Sequence, residues 1–381
     1  MLTPPPLSLY IHFPWCIRKC PYCDFNSHAL LSQLPEKSYI NTLLKDLELD
    51  LSRVQNRPII SIFMGGGTPS LFSPDAINYL LVELAKRLEF SDTIEITLEA
   101  NPGTVDYQRF CGYREAGINR LSLGIQSFST EKLKTLGRIH EGDEAIKAVL
   151  AAKIAGFTNV NLDLMHGLPR QRVIEGLEEL QIAFSLDPTH ISWYQLTIEP
   201  NTEFYLNPPQ LPREENLWEL QEQGEAIFKQ KNYQHYEISA FCKDRYHCIH
   251  NLNYWQFGDY IGIGAGAHSK ITDSEKNTIR RAWKQKNPKS YLAQKNNFLG
   301  EEKSILTKDL PFEFMLNALR LHQRIPFELF QQRTGLAFSN IETLISQAQQ
   351  QGLLKYDAVA METTALGKRF YNNLLTMFIR N

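Results

Sequence analysis

Apolar positions along the chain follow two rhythms. Short apolar runs predict strands at Leu7 to Phe13, Ile59 to Met64, Ile94 to Glu99, Leu121 to Ile125, Val160 to Met165 and His190 to Leu196. Between them, helical spacing predicts amphipathic helices such as Tyr39 to Val54, Pro74 to Leu88, Glu141 to Ala155 and Ile174 to Ser185, several opened by Ser, Asp or Pro and closed near Gly. Strands alternating with helices at this spacing imply right-handed parallel crossovers. Six such repeats predict an α/β fold, either a partial (β/α)6 barrel or an open doubly wound sheet. In both, the ligand site lies at the carboxyl ends of the strands, so the chemistry is to be sought in the loops just beyond them.

The rhythm fades after residue 238. Residues 239–305, rich in Tyr, Trp, His, Asn and Gly, read as an irregular connector. Helices return at Pro311 to His322, Phe327 to Thr334 and Ser339 to Gln350, followed by a hairpin pattern at Leu353 to Thr363 and a last helix at Leu366 to Ile379. That order predicts a smaller winged-helix-like α+β domain over 306–381, beside a core at 1–238.

Charge narrows the function classes. With 40 Lys+Arg against 42 Asp+Glu over 381 residues, the net charge is −2, which leaves no basic surplus to drive nucleic-acid binding. Where a recognition helix would lie, Ser339 to Gln351, there is Glu342 and no Lys or Arg, so the last domain reads as a cap or protein-contact surface. The longest apolar runs, such as Ile59 to Met64, fall far short of the roughly 20 residues of a membrane span. The first residues also lack a signal-peptide pattern, and a cytoplasmic location is expected.

Six cysteines stand at 16, 20, 23, 111, 242 and 248, and disulfides are uncommon in reduced cytosol. Three crowd into Cys16-Ile-Arg-Lys-Cys20-Pro-Tyr-Cys23, directly after the first strand. A structural zinc site closes with four ligands, and here His12 or His28 would have to supply the fourth. Three thiolates can instead hold three irons of a [4Fe-4S] cube, leaving the fourth iron open to a small chelating molecule. After the second strand, Gly65-Gly66-Gly67-Thr68-Pro69 offers glycines whose N–H groups can approach an anion, plus a hydroxyl.

The three-cysteine spacing after the first strand of a βα series resembles the radical S-adenosylmethionine (SAM) superfamily. The resemblance implies a cluster on Cys16, Cys20 and Cys23, with Gly66, Gly67 and Thr68 at the amino-acid end of SAM. It also implies that Glu99 accepts bonds from ribose hydroxyls, that the Gln126 amide serves the same ligand, and that Asp163 bonds a polar edge of the nucleoside. Arg138 would clamp the SAM carboxylate as a fork, while Tyr10 and Tyr22 shield the cluster.

Within that superfamily, Tyr10-Ile-His-Phe-Pro-Trp-Cys16, Cys20-Pro-Tyr-Cys-Asp-Phe-Asn-Ser-His28, Glu99-Ala-Asn-Pro-Gly and Leu136-Gly-Arg-Ile-His140 resemble the oxygen-independent coproporphyrinogen III oxidase-like family. Two features depart from the oxidase itself. Phe25 stands where the oxidase carries a fourth cysteine, and only nine residues precede Tyr10, where the oxidase has a longer segment. The segment His250-Asn-Leu-Asn-Tyr254-Trp255 is similar to the signature of the HemW branch, the radical SAM heme chaperones. That branch implies bound heme passed to heme-acceptor proteins, and it makes His250, Tyr254 and Trp255 the heme candidates, with His247 and Cys248 beside them as further ligand choices. It also admits a reducing partner such as a flavodoxin, and a homodimer. Oxidative decarboxylation of porphyrinogen propionates is the alternative function, and whether the chain is an enzyme is open at this point.

Overall fold

The computed structural model describes residues 2–379. Six parallel strands, β1 (Leu7–Phe13), β2 (Ile59–Gly66), β3 (Phe90–Ala100), β4 (Arg120–Gln126), β5 (Val160–His166) and β6 (His190–Gln195), lie side by side in chain order. They are linked over one face by α1 (Glu36–Asp50), α2 (Pro74–Ala85), α3 (Tyr107–Glu115), α4 (Gly142–Ile154) and α5 (Val173–Ser185). Helix starts follow local chemistry. Ser73 caps α2 by accepting from the Ala76 N–H at 3.2 Å, with Pro74 at the first helical position.

Side chains alternate across each strand, and here the two faces differ sharply. Leu7, Leu9, Ile11 and Phe13 of β1, Leu98 of β3, and Leu121, Leu123 and Ile125 of β4 are fully buried in the large core beneath the helices. The alternate residues are polar: Ser8, Tyr10 and His12; Glu95, Thr97 and Glu99; Arg120 and Ser122; Asn161 and Asp163. They meet across the inner face. Ser61 donates to Ser8 at 2.8 Å, Ser122 to Asp163 at 2.9 Å, and Asn161 bonds His190 at 2.6 Å. A closed (β/α) barrel is filled mostly by branched apolar side chains. This partial barrel keeps a polar, hydrogen-bonded interior.

The expected irregular connector at 239–305 is not irregular. After α6 (Glu214–Gln230) come β7 (Gln234–Glu237) and β8 (Ala240–Cys242), a short helix α7 (Ile249–Trp255), then β9 (Asp259–Ile263), β10 (His268–Asp273), β11 (Thr278–Lys284) and β12 (Leu299–Ser304). β9 pairs parallel with β1, and the whole forms one twelve-stranded sheet ordered β12-β11-β10-β9-β1-β2-β3-β4-β5-β6-β8-β7. Buried charge hid these strands from an apolar-run reading. Lys270 is paired with Asp259 at 2.9 Å, and Lys284 with Asp50 at 2.6 Å, so ionic residues occupy positions that elsewhere hold Leu or Ile.

α7 closes the sheet's inner face at the amino-terminal ends of the strands. Glu95 accepts the N–H groups of Ile249 and His250 at 3.1 and 3.2 Å, and Asn253 donates to Ser8 Oγ and to the Asp259 carbonyl, both at 2.9 Å.

The last domain has its own core around Phe314, Phe330, Ile345 and Phe378. It holds α8 (Leu310–Ala318), β13 (Ile325–Pro326), α9 (Phe327–Thr334), α10 (Glu342–Gln350), β14 (Leu354–Tyr356) and β15 (Ala360–Thr363), with the strands ordered β13-β15-β14. Helices followed by a small antiparallel sheet give the winged-helix-like arrangement. α8 stops short of His322 because Leu321 instead bridges Glu237 of β7. Among the described residues, no helix is long and apolar enough to cross a membrane.

Candidate functional site

The carboxyl ends of β1 to β5 open onto a cavity of about 260 Å³. Cys16, Cys20 and Cys23 line it together with Tyr22, Gly66, Gly67, Thr68, Glu99, Gln126, Arg138 and Asp163. Residues from 16 to 163 in the chain thus meet around one space, because all but Asp163, midway along β5, lie on a strand end or the loop beyond it.

The cysteines sit on a loop folded back on itself. Trp15–Cys16 pairs with His28–Ala29, and the Cys23 N–H donates to the Cys20 carbonyl at 3.1 Å. Burial pushes the Cys16 and Cys23 thiols up, opposed by hydrogen bonds from Thr68 and Ser27. Arg138 donates from Nη1 to Cys20 Sγ at 3.7 Å. Soft thiol donors around a cavity, with a guanidinium beside one of them, fit an iron–sulfur cluster. The two histidines that zinc would recruit are engaged elsewhere. His12 Nε2 bonds the Asn26 carbonyl at 2.9 Å, His28 Nε2 meets Asn26 Oδ1 at 3.3 Å, and neither ring lines the cavity.

The glycine segment works differently from the sequence expectation. Its N–H groups are already taken: Gly66 donates to Glu99 Oε2 at 3.1 Å, Gly67 to the Phe13 carbonyl at 2.7 Å, and Thr68 to the Trp15 carbonyl at 2.8 Å. Glycine is required by close packing instead. At Gly66, with φ +110°, a Cβ would stand 2.4 Å from the His12 ring, and at Gly67 it would stand 2.6 Å from the Trp15 carbonyl. The segment therefore locks the cysteine loop to β2 and contributes a close surface, not an anion nest.

Two acids, Glu99 and Asp163, face the same cavity. Burial, and then the Asp163 charge, push Glu99 up to about 8, and burial raises Asp163 as well, although Ser122 and Asn161 donate to its oxygens at 2.9 and 2.8 Å. A cation bound between them would let both ionise. Arg138 brings the opposite charge, held by the Gly124 carbonyl at 2.8 Å and by Asn101 Oδ1. Gln126 ends β4 at φ 67°, where the β4–β5 register shifts, and its Oε1 accepts from Tyr194 at 2.7 Å.

Of the predicted SAM residues, only Tyr10 is not brought to the cavity. It lies inside the sheet, its hydroxyl 3.0 Å from His12 Nδ1 and its ring stacked on Phe63. Sequence reading passed over Asn101, Ser122 and Tyr194, which do line the cavity. The signals were present: Asn101 follows Glu99 by two residues, and Tyr194 stands one residue before the end of β6, much as Gln126 ends β4.

The heme candidates lie at the other end of the strands. His250 is buried under the barrel interior, with Nδ1 3.1 Å from Ser61 Oγ and its ring against Phe63, and burial lowers it to about 3. Cys248 is fully buried with Sγ 3.5 Å from Glu95, and His247 packs edge-on against Tyr236. Tyr254 turns to Tyr260, and Trp255 lies beneath the Arg320 guanidinium at 4.4 Å. The segment thus supplies a floor for the barrel and a contact toward the last domain, and its His250, Tyr254 and Trp255 do not share one open face.

Comparison with known proteins agrees with this architecture. The family model described as the Radical SAM superfamily matches residues 10–180, and the HemN C-terminal domain matches residues 305–370. The chain is 52% identical over 379 residues to Heme chaperone HemW of Haemophilus influenzae, covering 98% of each. It is 48% identical over 379 residues to Heme chaperone HemW of Escherichia coli, covering 100% of each. Among solved structures, coproporphyrinogen III oxidase (HemN) from Escherichia coli, a radical SAM enzyme, matches with a TM-score of 0.83 over 98% of this chain and 90% of that one. At 23% identity, that likeness shows a common fold. The chain belongs to the heme chaperone HemW family of radical SAM proteins.

Proposed function

We propose that this chain carries heme to acceptor proteins, and that it holds a [4Fe-4S] cluster on Cys16, Cys20 and Cys23 with SAM in the adjoining cavity. The observation that carries the cluster and SAM reading is the meeting of three thiols, two acids and the guanidinium groups of Arg18 and Arg138 around a single space at the strand ends. When bound, the cluster would supply a one-electron donor with one iron left open to SAM. The chain's own residues do the positioning. Arg138 presents a fixed fork to a carboxylate, Glu99 and Asp163 neutralise a cation, and Gln126 is aimed by Tyr194. A reducing partner such as a flavodoxin would feed the cluster. A working place in the cytoplasm, where thiols stay reduced, belongs to the same reading.

Heme carriage rests on the family, whose named members are heme chaperones. A ligand role for His250 would require lifting α7 out of the barrel floor, with loss of its bonds to Ser61 and Glu95. The test is titration of heme into anaerobically reconstituted protein, with and without SAM, followed by denaturing separation. Stoichiometric heme together with iron and sulfide supports the reading. Zinc in place of iron and sulfide, or a chain that takes up no heme, overturns it.

A further inference from the structure

An imidazole that iron can reach is a common axial ligand to heme. Of the ten histidines, nine are buried or half-buried and His268 alone is exposed. It opens β10 directly across from Trp283 of β11, with the rings 6.0 Å apart and 29° from parallel. Among the described residues, neither of its ring nitrogens makes a hydrogen bond. Burial of part of the ring, and then Lys286 and Arg281, lower its pKa, so a free lone pair is available near neutrality.

The surroundings suit one chemical class. Trp283 offers a half-buried aromatic surface, with Lys303 Nζ 5.5 Å from its ring centre. Lys303 also pairs with Glu301 at 2.6 Å, but that pair is exposed and holds it weakly. Lys286 is exposed beyond the end of the same strand. An open imidazole, an aromatic side and two cations match a flat apolar ligand that carries iron and two carboxylates. The patch is also fastened to the cysteine loop, because Asn26 donates to the carbonyls of Lys286 and Ala265, both at 2.9 Å.

Resting on the heme-carrying reading, the geometry points to His268 as the residue that would ligate heme iron, with Trp283 supplying aromatic contact beside it and Lys286 and Lys303 the charges that would meet the propionates. Heme then sits on the outer end of the sheet extension, beside the cluster loop, and α7 keeps its place in the floor.

The experiment titrates hemin into full-length, anaerobically reconstituted wild type, His268→Ala and Trp283→Ala, reading the Soret band and ligation state, with cluster absorbance as the control for folding. His268→Ala is expected to lose the imidazole-ligated spectrum and to bind at least about tenfold more weakly, with added imidazole restoring the spectrum. Trp283→Ala keeps the ligation state with weaker binding. Unchanged affinity and spectrum in His268→Ala overturn the inference and leave heme carriage standing. A wild type that takes up no heme removes the underlying reading, and this assignment with it.

Discussion

Arg138 and Cys20 are in contact: Nη1 donates to the cysteine sulfur at 3.7 Å while Nη2 holds the Gly124 carbonyl at 2.8 Å. One guanidinium thus ties the cluster loop to the end of β4. Replacing it with lysine keeps the charge but loses the fork. Arg138→Lys is expected to retain its iron and sulfide and to bind SAM about tenfold more weakly, roughly 1.4 kcal/mol. Calorimetry on the reconstituted protein measures this, and wild-type SAM affinity in the variant would remove Arg138 from the site.

Glu99 makes both stability and SAM binding depend on pH. Its folded value, about 8, lies above the ordinary 4.5 for Glu, so its contribution to stability is fully present at acid pH and is lost as pH rises toward 8. The ligand-free protein should therefore become less stable between pH 5 and pH 8 through this group, and Glu99→Gln should flatten that slope in urea unfolding. A cationic ligand prefers the ionised acid, so SAM affinity should rise over the same window. An identical pH slope in Glu99→Gln contradicts the assignment.

The α7 floor is a structural prediction. His250→Ala leaves Ser61 Oγ without its imidazole partner and opens a hole beside Phe63. A loss of about 1–3 kcal/mol in unfolding free energy is expected, with the cluster still loaded through the distant cysteines. Unchanged stability would show that the floor does not depend on this histidine.

Cluster loading divides the cysteines. Ala at Cys16, Cys20 or Cys23 should abolish iron–sulfur absorbance, whereas Ala at Cys111, far along the chain on α3, should leave it intact. Loss of the cluster in the Cys111 variant would mean that the cavity thiols are not its only ligands.

The oxidase reading is decided by assay. Phe25, 61% exposed at the cavity, stands where the oxidase has its extra cysteine. Reduced protein supplied with SAM and coproporphyrinogen under anaerobic conditions is expected to give no decarboxylated product, and steady turnover would make the chain an enzyme in place of a carrier.

The parallel core was legible because its strands bury one face of plain aliphatic residues, as Leu7, Leu9 and Ile11 show. The cluster loop was legible because soft-metal chemistry demands particular atoms at short spacing, and Cys16, Cys20 and Cys23 are local. Residues 239–305 were misread for the opposite reason: Lys270, Lys284 and Asp259 look like loop residues until their distant partners are known.

By itself, the sequence determined what depends on neighbours in the chain: the strand–helix order, the three thiols and the residues that end each strand. Tertiary structure alone decided which imidazole meets solvent. Exposure of His268 and burial of His250 follow from β9 joining β1 and α7 sealing the strands beneath it, contacts that span more than a hundred residues and leave no trace in local pattern.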